Sequence, residues 1–358
     1  MPPKKQIQSP QAIPVSTPGT SGVINVGLDI GYGVVKLVAS GLAPILFPSV
    51  AGHAREIKYK KEDLSAKYPG DQLTDEEGEW FIGNLAQSQV SPGELLRLRG
   101  RTAEKDALGN VFRARLAKAA LGKAFGDRNA SGDVLHIRIA TGLPVDHMRG
   151  ANSLKQALLG QHVIETDGAH FVANITEVMV MPQPYGTIYS QMLMPTGSVN
   201  PCHTATRTGV CDVGTYTVDL ALDDDGEYID AQSGSVEAGI STAQERIAAM
   251  LDAAYNDKPS YRDVERTLRT GCFKAFGEVI DYSAEVAAAL EPLRSATLNL
   301  LSEKWRGAAA IDVIYVSGGG AEVVFETIHN SYPQAVLVKD AQLANARGYL
   351  NYAATAKE

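Results

Sequence analysis

The chain has 358 residues, of which 44% are hydrophobic and 21% are charged. Its length suits two domains better than one, and its apolar fraction excludes a wholly disordered protein. The formal net charge of −8 excludes a protein that wraps nucleic acid with its whole surface, so we expect no direct contact with nucleic acid.

Two further features bear on where the protein works. No apolar run approaches the roughly 18 residues of a membrane span, and no hydrophobic stretch follows Lys4 and Lys5 as it would in a signal peptide. Cys202, Cys211 and Cys272 show no C-x-x-C spacing, which is typical of reduced thiols rather than of a zinc site. We therefore expect a cytoplasmic protein with no membrane contact.

The N-terminal part of the chain predicts a tail followed by a hairpin. Residues 1–22 are rich in Pro, Ser, Thr and Gln, which predicts a disordered tail. The apolar run 23–28 predicts a buried strand, and the Asp- and Gly-containing segment 29–33 predicts a tight turn. Further strands are predicted at 34–39 and 45–47, and the short turn between the first two indicates a hairpin.

Helices and strands are predicted in the rest of the first half. A helical pattern covers residues 103–125, and residues 152–159 predict a second helix. Strands are predicted at 134–140 and 175–181, with a loop at 141–144 after the first of them.

The second half of the chain repeats this order of elements. An apolar run that ends at Cys211 leads into a turn at 212–217, and strands are predicted at 218–222 and, after a second turn, at 227–236. Later segments predict helices at 241–255, 284–305, 321–329 and 341–353, strands at 312–316 and 336–338, and a glycine turn at 317–320. The repeat indicates two similar halves, each of which presents an acidic hairpin to a shared cleft.

The first predicted hairpin has the composition of a phosphate-binding turn. Gly31 and Gly33 allow positive φ and leave exposed amides that attract anions. Lys36 lies seven residues after Asp29 and can bring a positive charge to the same phosphates. A carboxylate repels phosphate, so the natural partner of Asp29 is a hydrated Mg²⁺. Taken alone, the segment also suits an ordinary hairpin with Asp in its turn.

The second predicted hairpin strengthens this interpretation. Asp212 again ends an apolar strand, and it supplies a second carboxylate for the shell of the metal. Asp219 lies seven residues later, at the position that Lys36 holds in the first hairpin. The turn between them offers hydroxyls and backbone amides to phosphate oxygens, from Gly214, Thr215, Tyr216 and Thr217.

A third segment, 317–322, places three glycines in a strand-to-helix turn. Such glycines let backbone lie close to a flat or charged ligand, although a tight connection that binds nothing has the same composition. The chain has no G-x-x-x-x-G-K-[ST] sequence, which excludes a P-loop. The turn at Gly31 and Gly33 lacks the third glycine of a dinucleotide fingerprint, because Lys36 stands there.

The order of these motifs resembles the actin, sugar-kinase and heat-shock-chaperone superfamily. Within it, the likeness is to the bacterial and archaeal actin-like proteins, including the ParM-type plasmid-segregation ATPases. Residues 29–36 and 212–219 are similar to the family's two phosphate loops, and 317–321 to its adenosine loop. Other similar segments are 46–50, 81–86, 141–144 and, in the closing helix, 344–349. The ordered set covers nearly the whole chain from Val23.

The resemblance implies an α/β fold in which two ribonuclease-H-like domains enclose a nucleotide cleft. Domain I is expected at 23–185 together with 341–358, and domain II at 186–340. The implied cofactors are ATP or GTP and Mg²⁺.

The resemblance also assigns roles to individual residues. Gln183 matches the Gln or Glu that the family carries at its first inter-domain crossing, where it would orient and polarise the attacking water. Asp212 is the second expected catalytic residue, and Asp29 and Asp212 would hold the metal through water. The expected phosphate ligands are Gly31, Tyr32, Gly33, Lys36, Gly214, Thr215, Tyr216 and Thr217. The expected nucleoside contacts are Glu237, Gly318, Gly319, Gly320 and Glu322.

Three functions remain open at this point. The first is a filament-forming ATPase or GTPase that assembles head to tail and segregates plasmid or other DNA through a DNA-binding adaptor protein. The second is a metabolite kinase of the same superfamily, with Asp219 or Asp146 as its base. The third is a scaffold that binds nucleotide without polymerising.

Overall fold

The computed structural model describes residues 22–59, 63–98, 107–126 and 134–356. This part of the chain contains two large mixed β-sheets. Residues 1–21 of the predicted tail and the start of the helix predicted from residue 103 lie outside these ranges. The first sheet has ten strands and the second has six. No helix within these ranges has the length and apolar character needed to cross a membrane.

The first sheet and its helices come from the N-terminal half. Its strands are β1 (Ile24–Ile30), β2 (Val34–Ala39), β3 (Ile45–Pro48), β4 (Val50–His53), β5 (Gln72–Asp75), β6 (Gly78–Ile82), β7 (Leu96–Arg97), β8 (Val134–Leu143), β9 (Gly160–Thr166) and β10 (Ala169–Pro182). Its helices are α1 (Leu64–Lys67), α2 (Gly83–Gln89), α3 (Ala107–Phe125), α4 (Ala151–Leu158) and α5 (Gln183–Met192).

The C-terminal half supplies the second sheet and a separate hairpin. Its strands are β11 (Arg207–Val213), β12 (Val218–Asp224), β13 (Glu227–Tyr228), β14 (Gly234–Val236), β15 (Cys272–Ala275), β16 (Glu278–Asp281), β17 (Val313–Ser317) and β18 (Ala335–Leu337). Its helices are α6 (Ile240–Tyr255), α7 (Tyr261–Thr270), α8 (Ser283–Trp305), α9 (Ala321–Ser331) and α10 (Ala344–Ala353). Strands β15 and β16 pair only with each other in the described chain.

Both large sheets share one strand order at their centres. In the first, β2 lies antiparallel to β1 on one side, and β8 and then β10 run parallel to it on the other. In the second, β12 lies antiparallel to β11, and β17 and β18 run parallel to it. The register pairs Asp29 with Lys36 and Asp212 with Asp219. The two seven-residue spacings therefore occupy equivalent places, as the repeat predicts.

The structure corrects two predicted boundaries near the hairpins. Asp29 and Asp212 lie in strands rather than in turns, because each still pairs across the hairpin with the residue seven positions later. The predicted loop 141–144 is mostly the end of β8, which stays extended because β10 pairs with it as far as Leu143 and β1 pairs with it at Thr141.

The prediction of one continuous strand over 227–236 is wrong, because this segment forms two short strands, β13 and β14. A 3₁₀ turn at Asp230–Gln232 separates β13 from β14. Ser233 stabilises this break, because its hydroxyl donates to the carbonyl of Ile229 (2.8 Å) and accepts from the amide of Leu222 (3.1 Å). The predicted closing helix 341–353 likewise begins with a 3₁₀ turn at Ala341–Leu343 before α10.

Helices α5 and α10 cross closely where the two sheets meet. A Cβ on Gly348 of α10 would overlap the carbonyl oxygen of Gly186 of α5 and lie 2.7 Å from the amide nitrogen of Ser190. On its other side α10 lies against β1, where a Cβ on Gly27 would be 2.5 Å from the amide nitrogen of Leu350. Glycine at these positions lets α10 pack backbone to backbone with both neighbours.

We expect Gly348→Ala to lower the free energy of unfolding by about 3 kcal/mol, because the added methyl group must push the two helices apart. Denaturant unfolding followed by circular dichroism measures the change. Gly93→Ala is the matched control, since a Cβ there meets nothing within 4 Å. Equal stability of the two variants would contradict a tight crossing.

Candidate functional site

The candidate site lies where strands from both sheets end. Asp29 and Asp212 stand near the ends of β1 and β11, Gln183 directly follows β10, and Ser317 ends β17. Ligands of α/β sheets commonly bind in the crevice outside the carboxyl ends of the strands. The topology therefore brings these side chains to one crevice.

A central cavity in this crevice collects most of the residues predicted to bind phosphate. It is lined by Gly31, Tyr32, Gly33, Val34, Lys36, Gln183, Asp212, Gly214, Thr215, Thr217, Asp219, Gly318, Gly319 and Gln342. The two hairpins touch beside it, because a Cβ on Gly33 would overlap the hydroxyl of Thr215. Glycine at position 33 thus permits a close approach of the two turns.

Asp29 forms an ion pair with Lys36 and accepts a hydrogen bond from the side-chain amide of Gln183. The Nζ of Lys36 lies 2.6 Å from Oδ2 of Asp29, and both side chains are buried. Gln183 is the first residue of α5, and its Nε2 donates to Oδ1 of Asp29 at 3.2 Å. The hydroxyl of Tyr349 donates to the carbonyl of Gln183 at 3.0 Å, which fixes the start of α5.

Asp212 is buried and lines the central cavity. Its Oδ2 accepts a hydrogen bond of 2.6 Å from Nδ2 of Asn345, and its Oδ1 lies against Gly318. Burial and the neighbouring charge of Asp219 raise the pKa of Asp212 to about 7, while Lys36 opposes the shift.

Asp219, the cross-strand neighbour of Asp212, is engaged by the hairpin itself. Its carboxylate accepts from the hydroxyl of Thr217 at 2.7 Å and from the hydroxyl of Ser235. Burial raises the pKa of Asp219, and these two hydrogen bonds oppose the shift. The Thr217 hydroxyl therefore donates to Asp219 in this structure.

A second cavity beside the hairpin tips contains Tyr216 and Glu237. Its lining is Tyr32, Pro144, Asp146, His147, Tyr216, Thr217, Ser235, Val236, Glu237, Ser241, Thr242 and Glu245. The ring of Tyr32 meets that of Tyr216 edge to face, with centroids 5.9 Å apart. The Tyr32 hydroxyl lies 3.2 Å from Nδ1 of His147. Tyr32 lines both cavities, whereas Tyr216 faces the second one.

The predicted nucleoside contacts do not share one cavity. Glu322, at the start of α9, lines a third cavity that meets the central one at Gly318, Gly319 and Gln342. Gly320 packs against Val213 instead, since its amide donates to that residue's carbonyl at 2.9 Å. Glu237 and Glu322 therefore line different cavities.

The charges around the central cavity fit a hydrated divalent cation. Among the described residues at the central cavity, Asp29, Asp212 and Asp219 bring three buried carboxyl groups, and Lys36, paired with Asp29, brings one ammonium. Among the described residues, no three His, Cys, Asp or Glu side chains are placed to hold a metal by themselves. A Mg²⁺ here would keep water ligands and take phosphate oxygens, which is its usual mode of binding.

We expect the protein without nucleotide to lose stability as the pH rises from about 4 to about 7. A carboxyl group whose pKa is raised in the folded state binds its proton more tightly there, so its stabilising contribution is complete below its unfolded pKa and is lost as the pH rises through its folded pKa. For Asp212, the rise from 3.8 to about 7 corresponds to about 4 kcal/mol. Thermal unfolding at several pH values measures the slope. Asp212→Asn should flatten it, and an unchanged slope would contradict the assignment.

Two family models match the sequence. The model of the actin-like protein N-terminal domain matches residues 27–186. The model of the archaeal actin homologue MreB-like C-terminal domain matches residues 210–330. A comparison with curated proteins finds no match.

Solved structures with the same fold include two kinds of actin-like protein. Ta0583, an archaeal actin homologue, is 21% identical, with a TM-score of 0.71 over 92% of this chain and 99% of that one. Its complex with ADP has a TM-score of 0.69 at the same identity and coverage. A 15-stranded ParM filament from Clostridium botulinum is also 21% identical, with a TM-score of 0.70 over 92% of this chain and 99% of that one.

The sequence matches and the fold agree. The N-terminal match falls on the first sheet and the C-terminal match on the second. The structural likeness extends over 92% of the chain, so the architecture is the two-domain actin fold. The chain therefore belongs to the actin-like protein family.

Proposed function

We propose that this protein forms filaments in a nucleotide-dependent manner and slowly hydrolyses ATP or GTP with Mg²⁺. The observation that carries the proposal is the position of Gln183. Its amide stands at the start of α5, hydrogen-bonded to Asp29, in the cavity that also contains the Lys36 ammonium and both glycine-containing turns. From there it can hold a water for in-line attack on a bound phosphate.

The residues of the central cavity have different proposed roles in phosphate binding and hydrolysis, which follow from their chemistry. Lys36 meets the phosphates as a point charge, and the amides of both turns bind their oxygens. A neutral amide is a weak base, so Gln183 acts mainly by orienting water, which accounts for slow turnover. Asp29 and Asp212 would hold a Mg²⁺ ion through its water ligands. When bound, Mg²⁺ neutralises charge on the phosphate oxygens.

We assign residues 23–185 and 341–358 to domain I and residues 186–340 to domain II. In this proposal the nucleoside lies near Gly318 and Gly319, which line both the central and the third cavity. The ADP complex of Ta0583 supports a nucleotide ligand for this fold. Nucleotide that contacts both turns would hold the domains together.

The ParM filament from Clostridium botulinum supports self-assembly of this chain. Head-to-tail contacts that do not close into a ring generate a filament. We propose a cytoplasmic role in plasmid or DNA segregation, with a DNA-binding adaptor protein as the link to DNA. The net charge of −8 favours such an adaptor over direct DNA contact.

A metabolite kinase is the weaker alternative. Such an enzyme needs a carboxylate base directed at the acceptor hydroxyl. The carboxylate of Asp219 instead accepts hydrogen bonds from Thr217 and Ser235 within its own domain. A scaffold without activity has no need of the arrangement of Asp29, Lys36 and Gln183.

The test is high-speed pelleting with ATP, with GTP and without nucleotide, in the presence of Mg²⁺, while phosphate release is followed. The expected result is pelleting that requires nucleotide, with slow phosphate release. The nucleotide that supports it shows whether the protein prefers ATP or GTP. Phosphate release only after a metabolite acceptor is added would favour the kinase. Nucleotide binding without release or pelleting would favour the scaffold.

A further inference from the structure

The side chain of Asn345 joins three elements beneath the central cavity. Asn345 lies on α10 and is 4% exposed. Its Nδ2 donates to Oδ2 of Asp212 at 2.6 Å, and its Oδ1 accepts from the hydroxyl of Thr187 on α5 at 2.8 Å. The Thr187 oxygen also lies 2.8 Å from the hydroxyl oxygen of Ser317, at the end of β17. All of these groups are buried.

The chemistry of the partners allows one orientation of this amide. Only the amide nitrogen can donate to the carboxylate of Asp212, and only the amide oxygen can accept from Thr187. A flipped amide would place its oxygen against the carboxylate and its NH₂ against the hydroxyl. Asn345 is therefore held from both ends, in a buried place where an unmade hydrogen bond is costly.

We propose that Asn345 is a positioning residue that holds the Asp212 carboxylate in the orientation required by the hydrated Mg²⁺ of a bound nucleotide, and that Thr187 fixes Asn345 for this purpose. The inference rests on the proposed function, in which Asp212 faces that ion. One oxygen of Asp212 is bound by Asn345 and the other lies against Gly318. Because Asn345 and Thr187 stand on the two crossing helices, the packing of α5 against α10 sets the direction of this carboxylate.

The test compares nucleotide affinity with and without the metal. Asn345→Asp keeps the shape of the side chain but replaces the donor NH₂ by a carboxyl oxygen. Thr187→Val removes the hydroxyl at similar volume, and Thr187→Ser is its matched control because it keeps the hydroxyl. The readout is anisotropy of a fluorescent ATP or GTP analogue, titrated in Mg²⁺ and in EDTA, with thermal unfolding of each variant alongside.

We expect Asn345→Asp to weaken binding in Mg²⁺ by roughly 10- to 100-fold, the usual cost of losing a partner of a metal-binding group. Thr187→Val should weaken it by a smaller factor because it acts through Asn345, and Thr187→Ser should match the parent. Binding in EDTA should be unchanged in all three variants.

The outcomes separate this inference from the proposed function. Equal losses in Mg²⁺ and EDTA would overturn the inference and leave Asn345 a merely structural role. If the parent binds nucleotide much more tightly in Mg²⁺ than in EDTA, and the variants show the same difference in full, the inference is overturned but the proposed function is not. A parent that binds nucleotide equally in Mg²⁺ and EDTA would overturn the proposed metal role of Asp212 and the inference with it. If Asn345→Asp fails to fold, the comparison of Thr187→Val with Thr187→Ser decides.

Discussion

Replacing Gln183 by Ala should lower the rate of phosphate release by roughly 100-fold, while nucleotide-dependent pelleting persists. The reason is the position of the amide, which hydrogen-bonds to Asp29 and lies in the cavity with Lys36. Truncation to Ala removes the group that orients the water but leaves Lys36 and both turns to bind phosphate. Phosphate release at saturating nucleotide measures the chemical step, and pelleting of the same samples measures assembly.

Gln191→Ala is the matched control, since Gln191 lies on the same helix and its amide donates to Ser190 rather than into the cavity. It should hydrolyse nucleotide at the parental rate. Equal rates for Gln183→Ala and the parent would remove Gln183 from the mechanism. Loss of pelleting together with hydrolysis in Gln183→Ala would show that it acts in binding or assembly instead.

Replacing Lys36 by Met should lower the free energy of unfolding by about 3 to 5 kcal/mol, which is the usual cost of breaking a buried ion pair from one side. The carboxylate of Asp29 is 1% exposed and lies 2.6 Å from the Lys36 ammonium. Without that cation, the amide of Gln183 is the one side-chain partner left to the buried carboxylate among the described residues. Denaturant unfolding of the nucleotide-free protein measures the loss.

The double variant Asp29→Asn, Lys36→Met should recover most of this stability, because it leaves no unpaired buried charge. Both variants should bind nucleotide poorly, since neither has the cation proposed to meet the phosphates. A double variant as unstable as Lys36→Met would contradict the unpaired-charge explanation. Nucleotide affinity at the parental level in both would contradict the phosphate role of Lys36.

The two hairpins show how far local pattern determines this fold. The seven-residue spacings from Asp29 to Lys36 and from Asp212 to Asp219 predict equivalent cross-strand positions. The observed register pairs the two residues of each spacing directly across their hairpin. Hairpin pairing depends on a few neighbouring residues and on the length of the turn, both of which the sequence displays. The order of the motifs likewise predicted the family to which the chain belongs.

Elements that depend on distant partners were not predictable in the same way. The chain pattern does not distinguish the small strands β4 to β7, which extend the first sheet because β5 pairs with β9. The strand predicted at 227–236 fails for a nearer cause, since the hydroxyl of Ser233 bonds to Ile229 and to Leu222 of the neighbouring strand β12. Such contacts are decided by which chain segments meet, and composition does not report that.

By itself, the sequence determined the repeated acidic hairpins and the glycine turn, because their spacing encodes local backbone geometry, and its resemblance to the actin-like proteins indicated Gln183. Only the tertiary structure decided that Asn345, 133 residues from Asp212 in the chain, holds its carboxylate, and that Glu237 and Glu322 lie in different cavities. Hydrogen bonds between buried groups are made where helices and strands from distant parts of the chain pack together. Their partners are therefore set by the close crossing of α5 and α10 and by the meeting of the two sheets.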